Sequence, residues 1–403
     1  MALPRELTGL QPNLIPGVYL QKVAPEQPAA FTTGLPVFFG YGAPAADPAL
    51  VAAAAPQPIS GPFTIARFVE LQLGLASWSP DAYLLAAVKG FFENGGHECR
   101  VVFIDPSRIT TPAALVALWR EAFEMLAPLE DADLACAPSL MNAAAVGVDL
   151  SSVVIPTQRA LLEACEDRGD CFAILDSDPA GVIAQQQALY GWRGSRSSAL
   201  YFPRIKVAGD DTWYPPCGHV AGTYHYTDET VGVHKAPANL DLTGIVDLSA
   251  VLTDAEHRAL GQPSINVLRA LPGRGIRAWG ARTLAADETW TFINVRRLFI
   301  SVQRWLERMT AWATFEPNDL RLWVRVSRQL NAYFNELFVR GGLKGHTADQ
   351  AFFVKCDEET NPPAVRDRGM MVAQIGLAPL APGEFIYVRL VQSVEGVNAA
   401  IAG

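Results

Sequence analysis

An α/β layer followed by a helix-rich α+β segment is the fold class this sequence predicts, and three observations predict it. Short β-prone apolar runs alternate with helical patterns from about residue 35 to 230. Two long amphipathic helices occupy 290–339, and β-prone segments stand near both ends of the chain.

Taken in order, residues 1–30 hold five prolines and little periodicity, the pattern of an extended arm. Val18-Tyr19-Leu20-Gln21-Lys22-Val23 is its one strand candidate. The next strands are expected at Leu35–Gly40, Arg100–Ile104, Leu134–Ala137, Phe172–Asp176 and Ala199–Val207. Helices are expected at Ile65–Gly74, Pro80–Asn94, Pro112–Leu126, Pro156–Arg168 and Pro179–Tyr190. Several open with Pro in the first turn, where a missing N–H costs nothing. This alternation argues for a largely parallel sheet. Pro215 to Gly244, rich in Pro, Gly and Asn, reads as irregular. Beyond it, Trp290–Trp312 and Asp319–Val339 are long amphipathic helices, and Glu384–Val391 is a strongly β-prone terminal strand. In the second helix Trp323, Val326, Leu330, Phe334 and Leu337 form one stripe, with Arg321, Arg325 and Arg328 on the opposite face. In the first, Val295, Leu298, Val302, Trp305, Met309 and Trp312 form the stripe, flanked by Arg297, Arg304 and Arg308.

Composition narrows the function classes. Of 403 residues half are hydrophobic and only 18% are charged, rich for a soluble monomer. No apolar run approaches the roughly 18–20 residues of a spanning helix, so burial against other copies of the chain is the better explanation. The first residues lack a basic segment followed by an apolar core, so no secretion signal is expected. Six scattered cysteines fit reduced core thiols in a cytoplasmic setting better than a disulfide framework. The net charge of −9 conceals an acidic part up to residue 259 and a basic belt over 260–340, with 12 Lys+Arg against 6 Asp+Glu. Such asymmetry calls for a charged partner. An acidic protein surface suits it better than nucleic acid, because no Lys/Arg run or aromatic–basic motif is present.

Candidate chemistry is sparse. Cys217, His219, His225 and His234 lie close in sequence, yet their spacing matches no common zinc pattern and fits an ordinary loop. Gly273 to Gly280 resembles a phosphate loop but lacks the G-x-G-x-x-G spacing, which leaves a backbone turn or close-packing site. Asp176-Ser177-Asp178 could hold a divalent ion, although such a strand end more often caps the next helix. No nucleophile-elbow, zincin or Walker motif occurs. The reading therefore assigns no catalytic, cofactor-binding or metal residue and expects no enzyme. The three-arginine face is either a solvated helix surface or a contact surface.

Specific motifs carry a resemblance. They are Pro16-Gly17-Val18-Tyr19, Val88-Lys89-Gly90-Phe91-Phe92-Glu93-Asn94-Gly95-Gly96, Phe172 to Asp176, Leu200-Tyr201-Phe202-Pro203 and Val233-His234-Lys235-Ala236-Pro237-Ala238-Asn239. Asn266 to Arg269, Pro272 to Thr283, Val295 to Ile300, Phe315-Glu316-Pro317-Asn318-Asp319 and Phe353-Val354-Lys355-Cys356-Asp357 complete them. In these the chain resembles the contractile tail sheath family of myophages, R-type bacteriocins and extracellular injection systems. It departs locally at Asn361 to Val365.

The resemblance implies a two-domain sheath subunit with extended N- and C-terminal β-arms. Residues 1–30 would be the arm, 31–244 an outer α/β domain, and 245–403 an inner domain ending in the strand 384–391. It implies six-subunit rings stacked helically around an inner tube, with Val18, Tyr19, Leu20, Ile386, Tyr387 and Val388 adding strands to neighbouring subunits. The inner tube protein would meet Arg321, Arg325 and Arg328. Baseplate and tail-terminator (cap) proteins would be further partners, with no nucleic acid and no membrane insertion. Assembly is expected in a bacterial cytoplasm, within a phage tail or tail-like particle. A baseplate or terminator role in the same particle, and less so an α/β enzyme, are the alternatives.

Overall fold

The computed structural model describes residues 32–44, 58–73, 78–107, 109–142, 145–147, 149–178, 181–253, 255–256, 264–380, 386–393 and 396–402. Val18, Tyr19 and Leu20 lie outside them.

The chain begins with strand β1 (Pro36–Pro44), β2 (Ile59–Ile65) and helix α1 (Phe68–Gln72), then β3 (Trp78–Pro80), α2 (Ala82–Glu93) and β4 (Cys99–Ile104). Next come α3 (Pro112–Glu124), β5 (Leu134–Cys136), α4 (Val154–Arg168), β6 (Phe172–Asp176), α5 (Val182–Leu189) and β7 (Ser198–Phe202). Strands β8 (Ile205–Val207) and β9 (Trp213–Tyr214) precede α6 (Cys217–Thr230), and β10 (Ile245–Leu248), β11 (Ile265–Leu271) and β12 (Gly275–Trp279) follow it. The C-terminal part holds α7 (Ile293–Thr310), α8 (Leu320–Val339), β13 (Phe352–Lys355), β14 (Met371–Leu377), β15 (Ile386–Ser393) and β16 (Gly396–Ala402).

The main sheet runs β12-β11-β7-β6-β5-β1-β4-β2. Its six inner strands are mutually parallel, with β2 and β12 antiparallel at the edges and β3 on the end of β1. Parallel strands buried on both faces read as continuous apolar runs, as these do. Val37, Phe39, Tyr41, Val102 and Ile104 face the core built with α3, α4 and α5. Phe38, Val101 and Phe103 face the core built with α2 and α6. Helix starts follow local rules: Asp81 caps α2, and Thr111 caps α3 with Pro112 at its first position.

Helix α6 occupies the stretch expected to be irregular. Its Gly, Thr and His residues are weak helix formers, so packing decides. A Cβ on Gly218 would lie 2.0 Å from the Ala87 carbonyl oxygen, and one on Gly222 would lie 2.6 Å from that of Phe91. Only glycine at these two positions lets α6 close on α2. Three other expectations are corrected. Ile65 ends β2, and the helix expected from it is only Phe68–Gln72. The strand expected through Val207 splits into β7 and β8 around Pro203. Asp176 accepts from the Cys217 amide at the start of α6, 2.9 Å away, and does not cap the following helix. Its carboxylate thus meets the positive end of α6.

Buried Asp176 and His219 pull stability in opposite directions with pH. Burial, helped by Lys89, lowers His219 to about 4, and both ring nitrogens lack hydrogen-bond partners among the described residues. The unfolded chain takes up that proton first, so this contribution is intact above pH ~6.5 and is lost as pH falls towards the folded value, by roughly 3 kcal/mol. Burial raises Asp176 to about 7, against the hydrogen bonds from Cys217. Its protonated form is favoured by folding, so that stabilisation is complete below its ordinary value and lost as pH rises through the folded one. His219→Gln is expected to flatten the acid limb of a Tm–pH profile. Asp176→Asn, which keeps the acceptor for Cys217, is expected to leave Tm little changed below about pH 4, to raise it increasingly as pH climbs to about 7, and to hold that gain at higher pH. An acid limb unchanged in His219→Gln rejects the assignment.

A second core gathers Val295, Leu298, Phe299, Val302 and Leu306 of α7, the apolar face of α8, and Met371, Ala373, Ile375 and Leu377 of β14. Strands β13-β14-β15-β16 form its antiparallel sheet. The boundary expected at 244/245 does not coincide with this division. Strands β11 and β12, from the C-terminal side of that boundary, complete the main sheet, and the second core takes most of its residues from 285 onward.

Helix α7 joins the two cores through arginines that sequence periodicity placed at its flank. Arg297 and Arg304 are each 2% exposed. Arg297 grips Asp228 of α6 at 2.8 and 2.6 Å and reaches Asp133, just before β5, at 3.3 Å. Arg304 pairs with Asp133 and Asp170 and donates to the carbonyls of Glu130 and Asp131. Arg308 also donates to Glu130, and Arg296 donates to Ser197 Oγ and Gly169 O. Asp133, Asp170 and Ser197 precede parallel strands, where the helices packed on such a sheet end. Carbonyl-rich helix C-termini favour cations there. Burial lowers the proton affinity of Arg297 and its two carboxylates raise it by more; burial also pushes the Asp228 carboxyl up, Arg297 notwithstanding. The guanidinium stays charged, because its ordinary value lies far above any working pH.

Candidate assembly surfaces

Helix α8 presents the arginine face as the sequence spacing requires. Asp319 caps it through the amides of Arg321 and Leu322. Leu322, Trp323, Val326, Leu330 and Phe334 are buried in the second core, so Arg321, Arg325 and Arg328 point outward and are exposed. Arg325 lies 3.7 Å over the Trp312 ring and 3.9 Å from Glu316. Beside these cations stand apolar residues that the stripe analysis did not single out. Phe315 is 91% exposed, Leu320 66% and Val324 47%. The signal available in sequence was Val324, an apolar residue out of phase with the buried stripe.

Ile386, Tyr387 and Val388 open β15. Val388 is in register with Ile375 of β14 on one side and Ile401 of β16 on the other. The segment read as a free terminal strand thus lies inside the chain's own sheet, with β16 at one edge and β13 at the other among the described residues.

The polar cluster noted in sequence does not converge. Cys217 adjoins Cys136 and Asp176, and His219 packs on Gly90. His234 offers its carbonyl to Asn294, and His225 turns towards Gly34 and His97. All six cysteines are buried and unpaired. The glycine-rich Gly273 to Gly280 is the β11–β12 hairpin. Among the described residues no helix is long and apolar enough to cross a membrane.

Comparison with known proteins places these features. The central domain of phage tail sheath proteins matches residues 144–284, and the phage tail sheath C-terminal domain matches residues 285–393. The junction between them falls where the second core begins. The tail sheath protein of Vibrio phage KVP40 is 28% identical over 292 residues, 64% of this chain and 42% of that protein. The chain thus spans about two fifths of that relative's length. The helical sheath of the anti-feeding prophage in its contracted state aligns with a TM-score of 0.67 at 26% identity, over 93% of this chain and 98% of that one. The contracted sheath complex of an extracellular contractile injection system aligns with 0.66 at 26% identity, over 96% and 99%. With both sheath domains matched in succession and the whole subunit fold shared with assembled sheaths, the chain belongs to the contractile tail sheath family.

Proposed function

We propose that this chain polymerises as stacked six-subunit rings around an inner tube and contracts to drive that tube through a target envelope. The observation that carries the reading is the likeness to the anti-feeding prophage sheath, which covers 98% of that subunit. A heterologous contact repeated by rotation and rise propagates as an open helix. The arm around Val18–Leu20 supplies such a contact by β-augmentation, and the sheet that holds Ile386–Val388 offers its edge strand β16 to a neighbour's arm, which keeps subunits linked while their packing changes. The role is structural and not catalytic. Baseplate and cap proteins end the cylinder, and assembly takes place in the cytoplasm of a bacterial cell.

Within the subunit, the second core, with α8, faces inward and the main sheet with its helices faces outward. Arg321, Arg325 and Arg328 then lie against the tube, whose complementary surface is acidic. Exposed pairs contribute about 0.2–1 kcal/mol each and are screened by salt, which suits a contact that contraction must break. Negative-stain microscopy tests both levels. The purified chain is expected to form striated hollow cylinders, and failure to do so under any assembly condition rejects the sheath role. Changing the three arginines together to Glu is expected to preserve cylinders while reducing tube-filled ones. Wild-type yields of filled particles would move the tube contact elsewhere, and the burial of Arg297 and Arg304 removes them as substitutes.

A further inference from the structure

We propose that His97, His225 and Glu229 form a binding site for a zinc-class divalent transition metal. The three residues come from two elements that sequence spacing does not relate. His225 and Glu229 stand one turn apart on α6, the separation that puts two side chains on the same helix face. His97 comes from the turn between α2 and β4. Gly95 makes that turn at φ +100, a conformation L side chains rarely adopt, and a Cβ there would strike Tyr226 of α6 at 2.9 Å. The turn is thereby pressed onto α6, and one ligand atom from each residue lies within 4.8 Å of the other two.

The buried member determines what the cluster can bind. His225 is only 6% exposed, and its Nδ1 lies 3.1 Å from the Gly34 carbonyl oxygen. A carbonyl can only accept, so Nδ1 carries the proton and Nε2 presents a lone pair. That Nε2 is buried and has no hydrogen-bond partner among the described residues. The imidazole is therefore oriented and tautomer-fixed by the Gly34 carbonyl in the manner of a metal-binding histidine. A plain ion pair between His97 and Glu229, whose atoms are 3.1 Å apart, would leave this lone pair unsatisfied. A cation shared by all three satisfies it. His97 and Glu229 keep 66% and 58% of their side-chain surface, so they can close to bonding distance by rotating about their own side-chain bonds.

Two imidazoles and one carboxylate favour Zn²⁺, Co²⁺ or Ni²⁺ over Mg²⁺ or Ca²⁺, which prefer all-oxygen sets. The remaining positions face solvent and take water. A bound ion would fasten the α2–β4 turn to α6.

The site is tested on the full-length chain, stripped with chelator and dialysed. Zn²⁺ calorimetry is expected to give one ion per chain, and Co²⁺ is expected to develop the intense visible absorption of a low-coordinate nitrogen–oxygen site. His97→Ala and Glu229→Gln alter exposed side chains only, and each is expected to weaken binding by at least about tenfold. His346→Ala, an exposed histidine elsewhere, serves as control and is expected to change nothing. His225→Ala is a poorer probe because it also removes a buried packing contact. A Co²⁺ spectrum no different from the aqueous ion overturns the proposal. So does affinity that is unchanged in both site variants, or lowered equally by His346→Ala. Cylinder formation is not part of the readout, so this result stands apart from that of the sheath assignment.

Discussion

Arg297→Ala is expected to cost about 3–5 kcal/mol, the range for breaking a buried ion pair by removing one partner. The substitution leaves two carboxylates, Asp228 and Asp133, facing each other in a site where the arginine itself is 2% exposed. It also removes the cation that lies 4.9 Å over the Tyr224 ring. Arg297→Lys is expected to recover only part of the loss, because an ammonium cannot reproduce the two-pronged grip on Asp228. Pairing Arg297→Ala with Asp228→Asn removes one stranded charge and is expected to be less harmful than the sum of the two single changes. Urea unfolding followed by circular dichroism measures all four. A single-variant loss within about 1 kcal/mol of a surface substitution would show that the carboxylates are not stranded.

Removing the terminal strands is expected to abolish cylinders altogether while the subunit remains folded. Deletion of residues 1–23 leaves intact the compact unit that begins at Thr33. Truncation before residue 381 removes β15 and β16 but keeps β13, β14 and the helices of the second core. Val388→Pro is a narrower probe, though not a silent one. Val388 pairs on both sides, so proline removes a donor from an interior strand and also weakens the chain's own sheet. Sedimentation and circular dichroism report whether each subunit folds, and microscopy reports assembly. Normal cylinders from either deletion would exclude arm exchange as the link between subunits.

Much of the fold was legible because the parallel strands carry their burial in their composition. Phe172–Asp176 and Cys99–Ile104 are almost wholly apolar and could go only inside. The stripe on α8 was equally plain, since one face of an otherwise polar helix leaves little choice. What failed depended on partners distant in sequence. Helix α6 has weak local propensity and exists because Gly218 and Gly222 meet the backbone of α2. Arg297 and Arg304 look like surface residues until Asp133, Asp170 and Asp228 arrive from three other segments. Asp176 finds its helix 41 residues downstream instead of in the next turn. The cluster of His97, His225 and Glu229 was hidden for the same reason, since 128 positions separate His97 from His225.

The buried arginine seam also fixes where the subunit resists giving way mechanically. Under the contraction proposed above, force arriving at the α8 face would pass along α7 into the parallel sheet through guanidinium–carboxylate and guanidinium–carbonyl fastenings that water and salt scarcely reach. Such a junction is stiff under shear, because its bonds fan out to three separate strand entrances and cannot slip in register. Between one helical packing and another, the part of the subunit bounded by this seam is expected to travel as a lever of fixed shape.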